Sequence, residues 1–171
     1  MSGDFTNQQL DFSDLPKFEE VKYHAVSLKL RTKSLLQWVV LLLFFSTGAG
    51  IYFFIKGFDE FSILILSVIF IYLLVRLVDI FLKQKQYGFA LREKDILFKQ
   101  GYIYHKTTVI PFNRIQHSAI NRSFLDKLFG ISTLKIYTAG GSGSDINIPG
   151  LLPDLALQLN QTLSKKVSEN V

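Results

Sequence analysis

The sequence contains no cysteine. Structural disulfides, cysteine-ligated zinc, iron–sulfur clusters and thiol catalysis are excluded with it. Catalytic signatures are also missing. There is no G-x-S-x-G elbow, no H-E-x-x-H helix and no paired-carboxylate constellation. His24, His105 and His117 are far apart and lack metal-ligand spacing. Gly140-Gly141-Ser142-Gly143 is glycine-rich, but Asp145-Ile146-Asn147 follows it. A phosphate loop needs Lys-Ser/Thr and a helix at that point, so this stretch reads as a hairpin loop. A cleavable signal peptide is not apparent either, because the first apolar run starts more than thirty residues in, behind acidic residues. The expectation is a chain that is not an enzyme and carries no cofactor or metal.

Charge is absent from residues 35–55, and residues 61–82 carry only Arg76 and Asp79. A helix of about 20 apolar residues crosses the ~30 Å hydrocarbon layer. Both runs reach that length, and only Lys56-Gly57-Phe58-Asp59-Glu60 separates them. The pattern predicts a transmembrane helical hairpin. Lys29, Arg31 and Lys33 precede it, and Arg76, Lys83 and Lys85 sit at its end. Positive flanks stay on the cytoplasmic side, so both termini are expected there. Arg76 and Asp79 are three apart and suit an ion pair, or a snorkelling arginine, better than an ion pathway. Trp38 and Tyr52 suit interfacial anchors at the two ends. The small residues at 46–50 suit close helix packing, although Gly48 and Gly50 lack the GxxxG spacing.

Beyond the hairpin the period changes. Residues 83–171 are enough for one small domain with its own core. Tyr87, Phe89 and Leu91 alternate with smaller or polar residues, and Glu93-Lys94-Asp95 makes a turn. Strands are expected at 96–100, 102–104, 107–110, 118–121, 134–139 and 146–148. Ser123 and Gly130 bracket a short helix as its cap and its stop. Pro153-Asp154 opens a last helix, with Leu155, Leu159 and Leu163 on one face beside Ala156 and Leu152. This is an α+β, β-rich barrel or sandwich capped by a helix. Residues 1–16 read as a loose tail. The alternation of Val26, Leu28 and Leu30 fits either a short strand or an amphipathic lead-in. The division expected is 1–34 as a cytoplasmic segment, 35–82 as the hairpin (35–55 and 61–82), and 83–171 as the module.

The local motifs carry a resemblance. Leu97-Phe98-Lys99-Gln100-Gly101 precedes a strand, and Ile110-Pro111-Phe112-Asn113-Arg114-Ile115-Gln116 follows. The short helix ends in Leu128-Phe129-Gly130-Ile131, and residues 134–140 and Ile148-Pro149-Gly150-Leu151 come next. In this order, over about residues 30–165, the chain resembles the bacterial PH-like domain family of YdbS-type membrane proteins. The resemblance implies a transmembrane hairpin plus a PH-like domain: two antiparallel sheets forming a split barrel, closed by a C-terminal helix, at a bacterial inner membrane. It implies little about activity. Phosphoinositide binding is not carried over, because the turn Glu93-Lys94-Asp95 holds two acids and one base.

Residues 83–171 hold twelve basic against six acidic residues, a net of +6. Anionic lipid on the cytoplasmic leaflet attracts such a module. Dispersed charge without a recognition motif argues against nucleic acid. The surface residues singled out for lipid or a partner are Arg114, Gln116, Arg122 and Lys127. Ile115 is expected to pack inward between Arg114 and Gln116. The expected partners are the bilayer and another membrane protein or a second copy of the chain. The leading reading is protein–protein assembly at the membrane, with anionic-lipid binding or sensing as the alternative and a transporter subunit as a more remote one.

Overall fold

The computed structural model describes residues 21–57, 59–84, 86–102, 104–139 and 146–169. The two charge-poor runs lie inside helices α1 (Lys29–Lys56) and α2 (Glu60–Gln84). At 1.5 Å per residue these are about 42 and 38 Å long, more than a hydrocarbon layer requires. Each is long and apolar enough to cross a membrane. Their apolar side chains face outward, with Phe44 71% and Phe54 93% exposed. A surface of that kind needs a nonaqueous neighbour. Trp38 Nε1 donates to the Leu73 carbonyl at 2.9 Å, so the indole ties α1 to α2. Asp59 and Ser62 cap the start of α2 reciprocally, through bonds of 2.9 and 3.2 Å. Gly48 and Gly50 do not bring the helices together, because nothing lies within 4 Å of where their Cβ atoms would stand.

The rest of the chain forms two antiparallel sheets and two helices. The first sheet runs β1 (His24–Ala25), β2 (Gly88–Leu91), β3 (Asp95–Gln100), β4 (Lys106–Pro111), in that order. A 3-10 turn at Phe112–Arg114 leads to the second sheet, β5 (Ile115–Asn121), β6 (Ser132–Thr138) and β7 (Ile146–Leu151). Helix α3 (Phe124–Phe129) links β5 to β6, and α4 (Pro153–Glu169) closes the module. Alternation decides the core. Leu134 and Ile136 of β6 stand beside Ile148 and Ile146 of β7, and all four are buried. Phe89, Ile96, Phe98, Ile110 and Phe112 come from the other side, and α4 adds Ala156, Leu159 and Leu163. The four-residue spacing of α4 is thus its buried stripe, except that Leu152, just before the helix, is half exposed. A helical hairpin with a helix-capped, two-sheet α+β module is the architecture the sequence predicts.

Two details differ from the sequence reading. Tyr102 and Tyr104 are exposed in the connection between β3 and β4, not in a strand. Aromatic residues favour strands, but Gly101 with φ +95° decides the geometry here. A Cβ on it would overlap the Tyr104 carbonyl oxygen. The second detail concerns the stretch before the hairpin. His24–Ala25 pairs with β2, and Val26 joins the module's core. The strand thus lies at 24–25, and the alternation at 26–30 runs through a turn into the first residues of α1, so it is neither a strand nor a separate lead-in. The hairpin is inserted between the first two strands of the module, with three residues on each side between strand and helix. The glycine-rich loop at 140–144 and the tail at 1–16 lie outside the described residues.

Candidate functional site

The junction between hairpin and module is where polar chemistry gathers. Lys33 of α1 donates its ammonium to Asp126 of α3 at 2.7 Å, with both side chains mostly buried. Asp126 is also the third helical residue of α3. It accepts from the Ser123 backbone N–H at 3.0 Å, while its own N–H donates to Ser123 Oγ at 3.2 Å, completing a capping box. Burial by itself raises the Asp126 carboxyl. The hydrogen bonds from Lys33 and Ser123 outweigh that and hold it below the ordinary carboxylate value. On the module side, the Ser27 N–H donates to the Gly150 carbonyl at 2.9 Å. Gly150 has φ +71°, and a Cβ there would stand 2.9 Å from Leu30 Cβ. Glycine lets the start of α1 lie directly on β7.

Beside this joint lies a cavity of about 490 Å³. Arg31, Ser34 and Trp38 line it from α1, Tyr72, Arg76, Asp79 and Lys83 from α2, and Tyr87 and Pro149 from the module. Asp79 accepts from Lys83 Nζ at 2.6 Å and lies 3.6 Å from Arg76 Nη1. The Arg76–Asp79 pairing expected from spacing is present, with Lys83 as the closer partner. The Arg31 guanidinium stands over the Phe81 ring, 5.4 Å from its centre. A second cleft, of about 370 Å³, opens between the helices around Phe44, Tyr52 and Ile69. Thr47 and Ser62 in its lining are spent on bonds within the hairpin, and the rest of the wall is mostly apolar.

The residues singled out in the sequence fall into separate places. Arg114 and Gln116 are exposed at the start of β5, flanking the buried Ile115 as expected. The Arg114 carbonyl accepts from the Ala139 N–H. Arg122 and Lys127 stand at the other end of that strand, with Arg122 Nε donating to the Ile131 carbonyl at 3.3 Å. Eight residues at about 3.3 Å each put roughly 25 Å between Arg114 and Arg122, so the four residues form two sites rather than one patch. Among the interface charges, Arg31, Arg76 and Lys83 meet at the cavity and Lys33 is taken by Asp126. Lys29 Nζ comes to 3.6 Å of the space beside Gly130. Lys85 lies outside the described residues. His117 is stacked on Tyr137, His24 lies tilted against Phe89, and among the described residues no three acidic or histidine side chains gather as metal ligands.

Residues 36–167 match the family model described as Bacterial PH domain. The chain belongs to the bacterial PH domain family. The match takes in most of α1, all of α2 and the module from β2 into α4, more than half of the chain, while β1 lies before it. The hairpin and the PH-like sheets are therefore matched together. No curated protein and no solved structure matches the chain. Asp126 and Gly150 were not singled out as joint residues in the sequence. Asp126 lies there within the short helix, with Ser123 as the cap, and Gly150 is one residue of a motif. The one available hint was an isolated acid in a basic surrounding.

Proposed function

We propose that this protein is a non-enzymatic, multi-pass protein of the bacterial inner membrane, with both termini cytoplasmic, that holds its PH module as a platform for assembly with another membrane protein or a second copy of itself. The observation that supports this reading is the mounting. A module that only had to stay near a membrane would need one flexible linker. Here the hairpin is inserted between β1 and β2, three residues separate strand from helix on each side, and Lys33–Asp126 closes a third connection. The module is presented at one height and one angle. Among the described residues, no strand pairs with the outer edge of β4. Such an edge accepts a partner strand. Photocrosslinking groups placed at Thr107 and Val109 of the full-length chain, in native membranes, are expected to give an adduct of defined mass. Adducts no stronger than those from a control position in α4, such as Gln161, would count against assembly through β4.

A second reading, anionic-lipid contact, is favoured by the depth of α3. Lys33 is two residues, about 3 Å, outside the uncharged run, so its partner Asp126 holds α3 at headgroup level. Phe124 and Leu128, one turn apart, are 81% and 65% exposed there, beside Lys127 and Arg122. An apolar pair rimmed by cations suits the interfacial layer. A fluorophore on Phe124→Cys, the sole thiol of that variant, is expected to blue-shift when the chain is reconstituted in vesicles containing phosphatidylglycerol. An identical spectrum in detergent-free vesicles and in water-exposed control positions would remove this contact.

A further inference from the structure

We infer that the cavity at the hairpin–module junction is a binding site for the headgroup of one anionic phospholipid. The inference rests on the reading that the hairpin spans a membrane, and goes beyond assembly through β4. Arg31, Arg76 and Lys83 line the cavity against a single carboxylate, Asp79, which leaves an excess of two positive charges around one half-open space. Surplus charge beside a hydrocarbon layer is costly without a counter-anion. The position supplies that anion. Arg31 lies four residues outside the uncharged run and Leu41 six residues inside it, so the cavity straddles the hydrocarbon boundary over about 15 Å. Its outer rim is cationic, while Trp38, Leu41 and Tyr72 line its deeper part. A phosphate on the rim with acyl chains leaving past the aromatic wall matches that gradient. A basic pocket between helices on the cytoplasmic side is the arrangement that takes acidic headgroups. The volume, about 490 Å³, is within the range of small-ligand sites.

The test uses the full-length protein, shown first to resist carbonate extraction, so that a failed anchor is recognised before lipid is added. Native mass spectrometry from mild detergent is run with added phosphatidylglycerol, with phosphatidylcholine, and with soluble glycerol 1-phosphate. The expected result is a one-to-one phosphatidylglycerol adduct, at least tenfold tighter than phosphatidylcholine and undisturbed by millimolar glycerol 1-phosphate. Arg31→Gln with Arg76→Gln is expected to abolish that preference, and Lys106→Gln with Lys135→Gln to leave it intact. Asp79→Asn adds to the charge excess and is expected to tighten binding several-fold, a gain that a misfolded variant cannot imitate. Equal binding of the two lipids, or a loss shared by the remote pair of substitutions, overturns the site. Displacement by glycerol 1-phosphate reassigns the ligand to a soluble phosphate ester and overturns the lipid. β4 crosslinking that persists beside a negative lipid result leaves the assembly reading standing alone.

Discussion

Ser132 begins β6 fully buried, and its hydroxyl oxygen finds no hydrogen-bond partner among the described residues. An unmet buried hydroxyl costs about 1–3 kcal/mol, whereas the methyl group of alanine costs nothing there. Ser132→Ala is therefore expected to stabilise the module by about 1 kcal/mol, read as a raised midpoint in denaturant; a lowered midpoint would mean that the hydroxyl is bonded. Asp126 is the opposite case, a buried acid with its partners in place. Its carboxyl is depressed, so its contribution is fully present above the unfolded value of about 3.9 and is lost as pH falls through the lower folded value. Lys33→Met removes the ammonium and is expected to cost about 3 kcal/mol, because the carboxylate stays buried with only Ser123 to hold it. Spin labels on cysteines introduced at Thr32 and Leu128 would report the α1–α3 distance. In the otherwise unaltered chain the distance should stay narrow at the ordinary carboxylate value and broaden only as pH falls through the lower folded value of Asp126. With Lys33→Met it should already be broad at pH 7. A distance unmoved by both acid and Lys33→Met would mean that the ion pair does not hold α3.

Elements meet at Gly150. The start of α1 rests on β7 through Leu30, and the Ser27–Gly150 hydrogen bond fixes the approach. Gly150→Ala has to fit a methyl group 2.9 Å from Leu30 Cβ and hold alanine at φ +71°. Left-handed strain and overpacking together are expected to cost about 2–3 kcal/mol. The expected readout is faster proteolysis at the connectors to the module while α1 and α2 stay protected. Unchanged protection would show that the two elements do not depend on this contact. The helices and most strands were legible because their cause is local: long apolar runs nearly free of charge, period-two alternation at 134–138, and the Ser123-to-Gly130 cap and stop. The joint was not legible, because Lys33 and Asp126 are 93 residues apart and Gly150 meets Leu30 from a still more distant part of the sequence. The strand expected at 102–104 is not seen at Tyr102 and Tyr104, with residue 103 outside the described residues, for a related reason. Tyrosine propensity is a statement about half-buried pleated surface, and Gly101 turns the chain before that surface exists.

At the scale of the whole molecule, the insertion of the hairpin between β1 and β2 makes anchor and module one folding unit. A chain begun after the hairpin keeps β2 to β7 but loses β1, Val26 and the Leu30 contact with β7. Val26 is 6% exposed and packs in the same cluster as Phe89 and Leu151. Removing a buried valine side chain alone forfeits about 1.5–3 kcal/mol of burial, and an edge strand and an ion pair go with it. For a domain of this size that is a large part of the usual margin. Residues 86–171 expressed alone are therefore expected to be markedly less stable than the same module in the full chain. A single chain carrying residues 21–28, a short glycine-serine bridge and residues 86–171 is expected to recover part of the difference by restoring β1. Hydrogen exchange of β2 amides reads this directly. Protection should be lowest in the truncated module, intermediate in the bridged chain, and highest where Lys33 also meets Asp126. Equal protection in all three would mean that the hairpin is an appendage, and that the height and angle of the module are not set by the membrane helices.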